Sequence, residues 1–187
     1  KWIKINFEVE AKPKVGTKIG IDQGINQVIS TSNNQRFKVT DIHGYSLNTI
    51  LDKLSGKKKG SLGFRKAQAH RTNFIGWSIN RLNLNGIGTI GLEKVSFRKK
   101  SRKSSHWVYG LIRRKVKSLA QEHGVRVLEQ SSPYRSQRCS SCGFVRESNR
   151  KKEHFKCGKC GFAANADVNA ALNHEADLPE IRFQSMS

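Results

Sequence analysis

The stretch TKIGIDQGINQVISTSNNQRFKVTDIHG, residues 17–44, carries the reading on which the fold turns. It predicts three short strands, over residues 17–22, 27–31 and 36–40. Turn residues separate them: Gly24 with Asn26, then Ser32, Asn33 and Asn34. Connections this short join antiparallel neighbours, so the three strands are expected to form a meander. Asp22 closes the first of them, directly before the turn at Gly24.

Upstream, KWIKINFEVE (residues 1–10) alternates Ile3, Ile5, Phe7 and Val9 with polar residues, as a half-buried strand does. The chain opens on Lys1 in mid-pattern, so residues 1–16 are expected to be the remnant strand of a preceding domain. Downstream, SGKKKGSLGFRK (residues 55–66) reads as a basic, glycine-punctuated loop, and a helix is expected over about residues 65–82. GIGTIGLEKV (residues 86–95) gives a buried strand ending near Glu93, and SFRKKSRKSS (residues 96–105) a second basic loop. In HWVYGLIRRKVKSLAQEHG (residues 106–124), Val108, Ile112, Val116 and Leu119 share one helical face. Arg113, Arg114, Lys115 and Lys117 lie away from it, and Gly124 sits at the C-cap. VRVLEQ (residues 125–130) is a further strand. Three strands, helix, strand, helix, strand, cysteine insert and helix is the order of an RNase H-like α/β fold, a mixed sheet flanked by helices. Element order alone admits other folds as well.

The 187 residues suit one domain with a real core. Against 14 Asp and Glu stand 35 Lys and Arg, a formal charge of +21, which opposes compaction and asks for a polyanionic partner. Nucleic acid is the first reading, and a merely solvated basic surface is the plain alternative. No run of 18 apolar residues and no signal-like N-terminus is present, so no membrane partner and a cytoplasmic, nucleoid-associated location are expected.

The four cysteines form Cys139-x2-Cys142 and Cys157-x2-Cys160, each pair followed by glycine, in CSSCG and CGKCG. Two such knuckles supply four thiolates for one tetrahedral, structural Zn²⁺, a closed shell with no catalytic position. Two disulfides are the alternative, and nothing in the sequence marks secretion. With four sulfurs available, His154 reads as an exposed loop residue. Phe144, Phe155 and Phe162 read first as the small core of the insert and second as base-stacking surfaces.

Three acids stand out by position in this basic chain: Asp22, Glu93, and Asp167 at the front of the last helix, in NADVNAALNH. Taken alone, Asp167 is an acid favoured by the helix dipole behind an Asn165 N-cap. Taken together, the first and fourth strands are neighbours in the proposed sheet, and the last helix would cover the same strand ends. Three converging carboxylates repel unless cations sit between them. Two Mg²⁺ or Mn²⁺ ions suit such oxygen donors and the cleavage of phosphodiesters.

The motifs GIDQGINQVIS, IGLEKV and NADVNAALN, with SQRCSSCG and FKCGKCG between the second and third, resemble the transposon-encoded TnpB (OrfB) nucleases and the related type V CRISPR effectors. The resemblance covers about residues 18–174. It implies the RuvC-like region of an RNA-guided, metal-dependent DNA endonuclease, with Asp22, Glu93 and Asp167 as metal-binding acids. Arg150, in ESNRKK, matches a position that in relatives helps hold the scissile phosphate. The implied organisation is a RuvC-like domain over 17–130 and 164–177, a zinc-ribbon insert over 131–163 and a tail over 178–187. DNA would be the target, and guide RNA would bind through a mostly missing N-terminal region. Phosphate contacts are expected from Lys57, Lys58 and Lys59, from Arg98, Lys99, Lys100, Arg102 and Lys103, and from Arg113 and Arg114.

Overall fold

Side-chain alternation along two neighbouring strands sets the architecture. In β1 (Thr17–Gln23) and β3 (Ile87–Lys94), Ile19, Ile21, Ile90 and Leu92 are buried in the main core. Successive side chains point to opposite faces, so Gly20, Asp22, Gly91 and Glu93 share the other face. The computed structural model describes residues 15–176 apart from 25, 36, 38, 95–108 and 132. The expected remnant strand, the basic residues Arg98, Lys99, Lys100, Arg102 and Lys103, and the tail fall outside the described residues.

The main sheet has the order β2-β1-β3-β4, with β2 (Ile29–Thr31) antiparallel to β1 and with β1, β3 and β4 (Arg126–Ser131) parallel. Helices α1 (Leu47–Ser55), α2 (Leu62–Ile79) and α3 (Tyr109–Glu122) contribute Leu47, Ile50, Leu51, Phe74, Ile75, Ile79, Ile112 and Val116 to the core beneath it. Of the predicted faces of α3, Ile112 and Val116 are buried and Leu119 half-buried, Arg114, Lys115 and Lys117 are exposed and Arg113 half-buried, and Val108 lies outside the described residues.

Two expectations fail. The third strand of the meander is absent among the described residues of 36–40, of which 36 and 38 lie outside the description. Here Thr40 bridges Ser46, and Oδ1 of Asp41 accepts from the backbone N–H groups of His43 and Tyr45, both at 2.9 Å. The segment thus turns on itself instead of running along β2. The second miss is α1. Ser46 and Thr49 form a capping box, and Leu47, Ile50, Leu51 and Leu54 recur at helical spacing on its buried side. The basic loop is correspondingly shorter than expected, because Ser61 caps α2 and starts it at Leu62.

Helix α4 (Ala166–Glu175) lies on the opposite face of the sheet. Its backbone comes so close that a Cβ at Gly20 would stand 1.8 Å from the carbonyl oxygen of Ala171, and one at Gly91 would stand 2.1 Å from that of His174. Ala170 and Ala171 are buried in this contact.

Gly20→Ala should therefore cost about 3 kcal/mol or more in a denaturant melt, the upper range for overpacking. Gly63→Ala, whose Cβ would meet the flexible Lys57 side chain at 3.7 Å and the Ser61 Oγ at 4.0 Å, both at ordinary contact distance, should instead stabilise by about 0.4–1 kcal/mol.

Candidate active site

Ile21 pairs with Leu92 in the parallel register, so Asp22 and Glu93 come next to one another at the strand ends. His174, in the last turn of α4, joins them: ligand atoms of Asp22, Glu93 and His174 lie within 4.8 Å of one another. Nε2 of His174 stands 3.8 Å from Oδ1 of Asp22. At the other end of α4, Asn165 caps the helix, its Oδ1 accepting from the N–H groups of Asp167 and Val168 at 2.9 and 3.3 Å. That cap places Asp167 over the turn at Gly24. Asp22, Glu93, Arg150 and Asp167 all line one open cavity of about 560 Å³. Nη2 of Arg150 donates to Oδ1 of Asp167 at 2.7 Å, and its Nε donates to the carbonyl of Lys152 at 3.1 Å.

The acids sit in a hostile dielectric. Burial raises the Asp22 carboxyl well above the ordinary carboxylate range, and the charges of Glu93 and Asp167 raise it further. Arg150 and the backbone N–H of Gln23 pull it the other way. Burial likewise raises Glu93 to about 7, against the Gln23 N–H and the nearby Arg135. His174 is pushed down to about 3 by burial and by Arg135, so its imidazole is neutral. A divalent cation is what this donor set of oxygens and one nitrogen fits, since it would relieve both burial and repulsion.

The four cysteines also converge, with Sγ atoms of Cys139, Cys142, Cys157 and Cys160 within 4.8 Å of one another and no disulfide among them. Two matching turns bring this about. The N–H groups of Cys139 and Cys157 donate to the carbonyls of Phe144 and Phe162, both at 2.8 Å. Gly143 and Gly161 both adopt φ 77°, the left-handed region that each turn needs. Around them β5 (Arg150–Lys151), β6 (His154–Lys156) and β7 (Ala163–Asn165) make a small antiparallel sheet. Phe155 is buried with Cys139 and Cys157, and Phe144 and Phe162 pack on it, which is the core role expected of these rings. His154 is exposed, outside the sulfur cluster.

Residues 109–174 match the family described as Cas12f1-like, TNB domain. The Cas12f1 CRISPR-associated endodeoxyribonuclease of Sulfoacidibacillus thermotolerans is 36% identical over 113 residues, which cover 59% of this chain and 26% of the relative. A TnpB-like protein of Aquifex aeolicus is 38% identical over 79 residues, 41% of this chain and 26% of the relative. Over this region the chain is similar to TnpB-like proteins and to the type V CRISPR-associated endodeoxyribonucleases. It spans about a quarter of the length of these curated relatives. The fold agrees: a cryo-EM structure of a Cas12f1–sgRNA–target DNA complex superposes with TM-score 0.64 at 24% identity, over 91% of this chain and 52% of that one.

Within the matched segment, α4 and the root of the cysteine insert are locked by residues that the sequence reading passed over. Nδ2 of Asn173 donates to the carbonyls of Arg135 and Arg138, both at 2.8 Å, and Nδ2 of Asn169 donates to Arg138 at 2.8 Å. Oδ1 of Asn169 accepts from the Ser140 N–H at 3.0 Å, next to Cys139. The buried Arg135 guanidinium returns the contact, donating to the carbonyls of Ser131 and Asn173. Two asparagines four apart in an alanine-rich helix were the available signal, since buried amides need partners. Asn149 does the same between the knuckles, donating to the carbonyls of Gln137 and Phe144 and accepting from the Gly158 N–H.

The expected phosphate contacts are not gathered here. Lys57, Lys58 and Lys59 are exposed between α1 and α2, and neither they nor Arg113 and Arg114 line the acidic cavity. Arg113 and Lys117 instead face Glu129, at 3.4 and 2.9 Å. Among the described residues no helix is long and apolar enough to cross a membrane.

Asn173→Ala should destabilise the chain by about 1–3 kcal/mol in a denaturant melt, because it leaves the buried Arg135 carbonyl without its donor. The acids predict a pH effect of definite sign. Without added Mg²⁺ or Mn²⁺, Glu93 takes up a proton on folding between its ordinary 4.5 and about 7, so stability present below 4.5 is lost as pH rises through 7. Asp22 adds in the same direction. Stability curves of wild type and Glu93→Gln from pH 4 to 8 should diverge, with the variant losing the Glu93 share of this fall and keeping that of Asp22.

Proposed function

We propose that the chain is the RuvC-like nuclease region of an RNA-guided DNA endonuclease, hydrolysing DNA phosphodiesters with two Mg²⁺ or Mn²⁺ ions. On this reading the four-stranded sheet with α4 is an RNase H-like domain over 17–130 and 164–177, and residues 131–163 are a ribbon closed by one Zn²⁺. The observation that carries it is the convergence of Asp22, Glu93 and Asp167, from two adjacent parallel strands and the helix across them, on one cavity. The relatives' names and the complex with guide RNA and target DNA support an RNA guide and a DNA target.

Bound divalent ions would supply a water activated at neutral pH and stabilisation of the leaving oxygen. The chain's own residues do the rest. Asp22 and Glu93 hold fixed positions because each ends a strand locked in the sheet. Asp167 is aimed by its helix cap. Arg150, 31% exposed at the cavity rim, is placed to donate to a phosphate oxygen once its bond to Asp167 opens. The Cys139, Cys142, Cys157 and Cys160 sulfurs form a closed shell and take no part in chemistry.

Asp22→Asn, Glu93→Gln and Asp167→Asn should each lower Mg²⁺- or Mn²⁺-dependent cleavage of single-stranded DNA by about 10²–10³-fold or more, the scale of removing one electrostatic stabiliser. Metal analysis of the purified chain should return one zinc per chain, lost together with the ribbon fold in a Cys157→Ser variant. Cleavage that survives all three acid substitutions would overturn the shared acidic site, and a wild-type chain that binds DNA but shows no metal-dependent cleavage would leave a zinc-ribbon protein that binds nucleic acid without cutting it.

A further inference from the structure

His174 takes no part in the three-acid reading, yet it is the residue whose ligand atom stands with those of Asp22 and Glu93 within 4.8 Å. Its side chain is 1% exposed, and its Nδ1 is buried without a hydrogen-bond partner. Its Nε2 lies 3.8 Å from Oδ1 of Asp22, beyond hydrogen-bond range. A histidine kept for packing alone would be poorly placed here, because two carboxylates face it. The separation suits a different relation. Two donors each about 2.0–2.2 Å from one shared ion lie roughly 3–4 Å apart at ordinary ligand angles. The backbone fixes this placement: the His174 carbonyl rests on Gly91, two residues before Glu93 on the same strand.

We propose that His174 is a metal ligand, its Nε2 completing with Asp22 and Glu93 a two-carboxylate, one-imidazole site for one of the divalent ions. The inference rests on the nuclease reading for the presence of that ion. Asp167, held by Arg150, then serves the second ion from the other end of α4. An imidazole nitrogen is a softer donor than a carboxylate oxygen, so the site favours Mn²⁺ over Mg²⁺ more than an all-oxygen site would.

The test is Mn²⁺ binding to the zinc-loaded 187-residue chain, followed by electron paramagnetic resonance with Mg²⁺ competition, and pulsed measurements of ¹⁴N coupling. The expected result is a directly coupled imidazole nitrogen in the wild type, retained in His154→Gln and absent in His174→Gln. In His174→Gln the Mn²⁺ dissociation constant should rise at least about tenfold, the low end of what removing even a supporting partner of a ligand costs. The Mg²⁺ affinity should change much less. Mn²⁺ that binds in an Asp22-dependent way but shows no nitrogen coupling overturns the ligand assignment and leaves the nuclease reading standing. Absence of any binding lost in Asp22→Asn overturns both. The wild-type spectrum decides between these outcomes even where the His174 variant fails to fold.

Discussion

The acidic site depends on how closely the backbone of α4 lies on the backbones of β1 and β3. Helices normally rest on a sheet through two layers of side chains. Here the contact is backbone on backbone, because Gly20 and Gly91 offer no Cβ and the helix meets them with the Ala171 and His174 carbonyls. Strand alternation then does the rest, since the acid two residues after each glycine emerges on the same face. Bring the helix down onto the glycines, and Asp22 and Glu93 are left at its side, with His174 reaching them from the last turn and Asp167 overhanging them from the first. A thicker contact would separate the two halves of the donor set by the height of a side chain.

Such packing concentrates negative charge in a chain whose formal net charge is +21. The excess of cations does not neutralise the cluster directly. Arg150 touches one acid from the rim, and Arg135 lies near Glu93 and His174 from within the fold. These two guanidiniums are too few for three carboxylates, and burial still holds Asp22 and Glu93 in their protonated forms well above the ordinary range. A site that resists ionisation until a cation arrives costs stability, and clusters of this kind are a mark of function more than of folding.

Much of this was legible in the sequence, and the failures have physical causes. Asp22, Glu93 and Asp167 were readable as neighbours because element order fixes which strands are adjacent, Arg150 entered only through the resemblance, and the Asn165 cap was readable because capping is local. The third strand was misread because Asp41 offers the backbone a turn that competes with pairing, a choice that β-propensity does not register. Helix α1 was missed although its capping box and its Leu47, Ile50, Leu51 and Leu54 spacing were in plain view. His174 was beyond a motif-based reading, and the pair Asn169 and Asn173 offered only their spacing in an alanine-rich helix. Their importance comes from which backbone they face, and only the docking of α4 decides that.

The two candidate metal centres use donors of opposite character, four sulfurs in one and oxygens with one nitrogen in the other, so each selects its own ion. They share no ligand, but they are not independent. Among the described residues the ribbon's core is Phe155 with Cys139, Cys157, Ala166 and the partly buried Phe144 and Phe162, so on the proposed reading its folding free energy comes largely from zinc. The ribbon's root, residues 135–140, is held by Asn169 and Asn173, which stand two and six residues beyond Asp167 on the same helix. Loosening the sulfur site therefore frees the backbone that those asparagines grip. The helix would then keep its glycine contacts with the sheet but lose the anchor that fixes its rotation. The acids from the strands and His174, whose carbonyl rests on Gly91, would stay in place while Asp167 drifted, so on the proposed reading zinc would act on the second site through hydrogen bonds to one helix, with no contact between the ions.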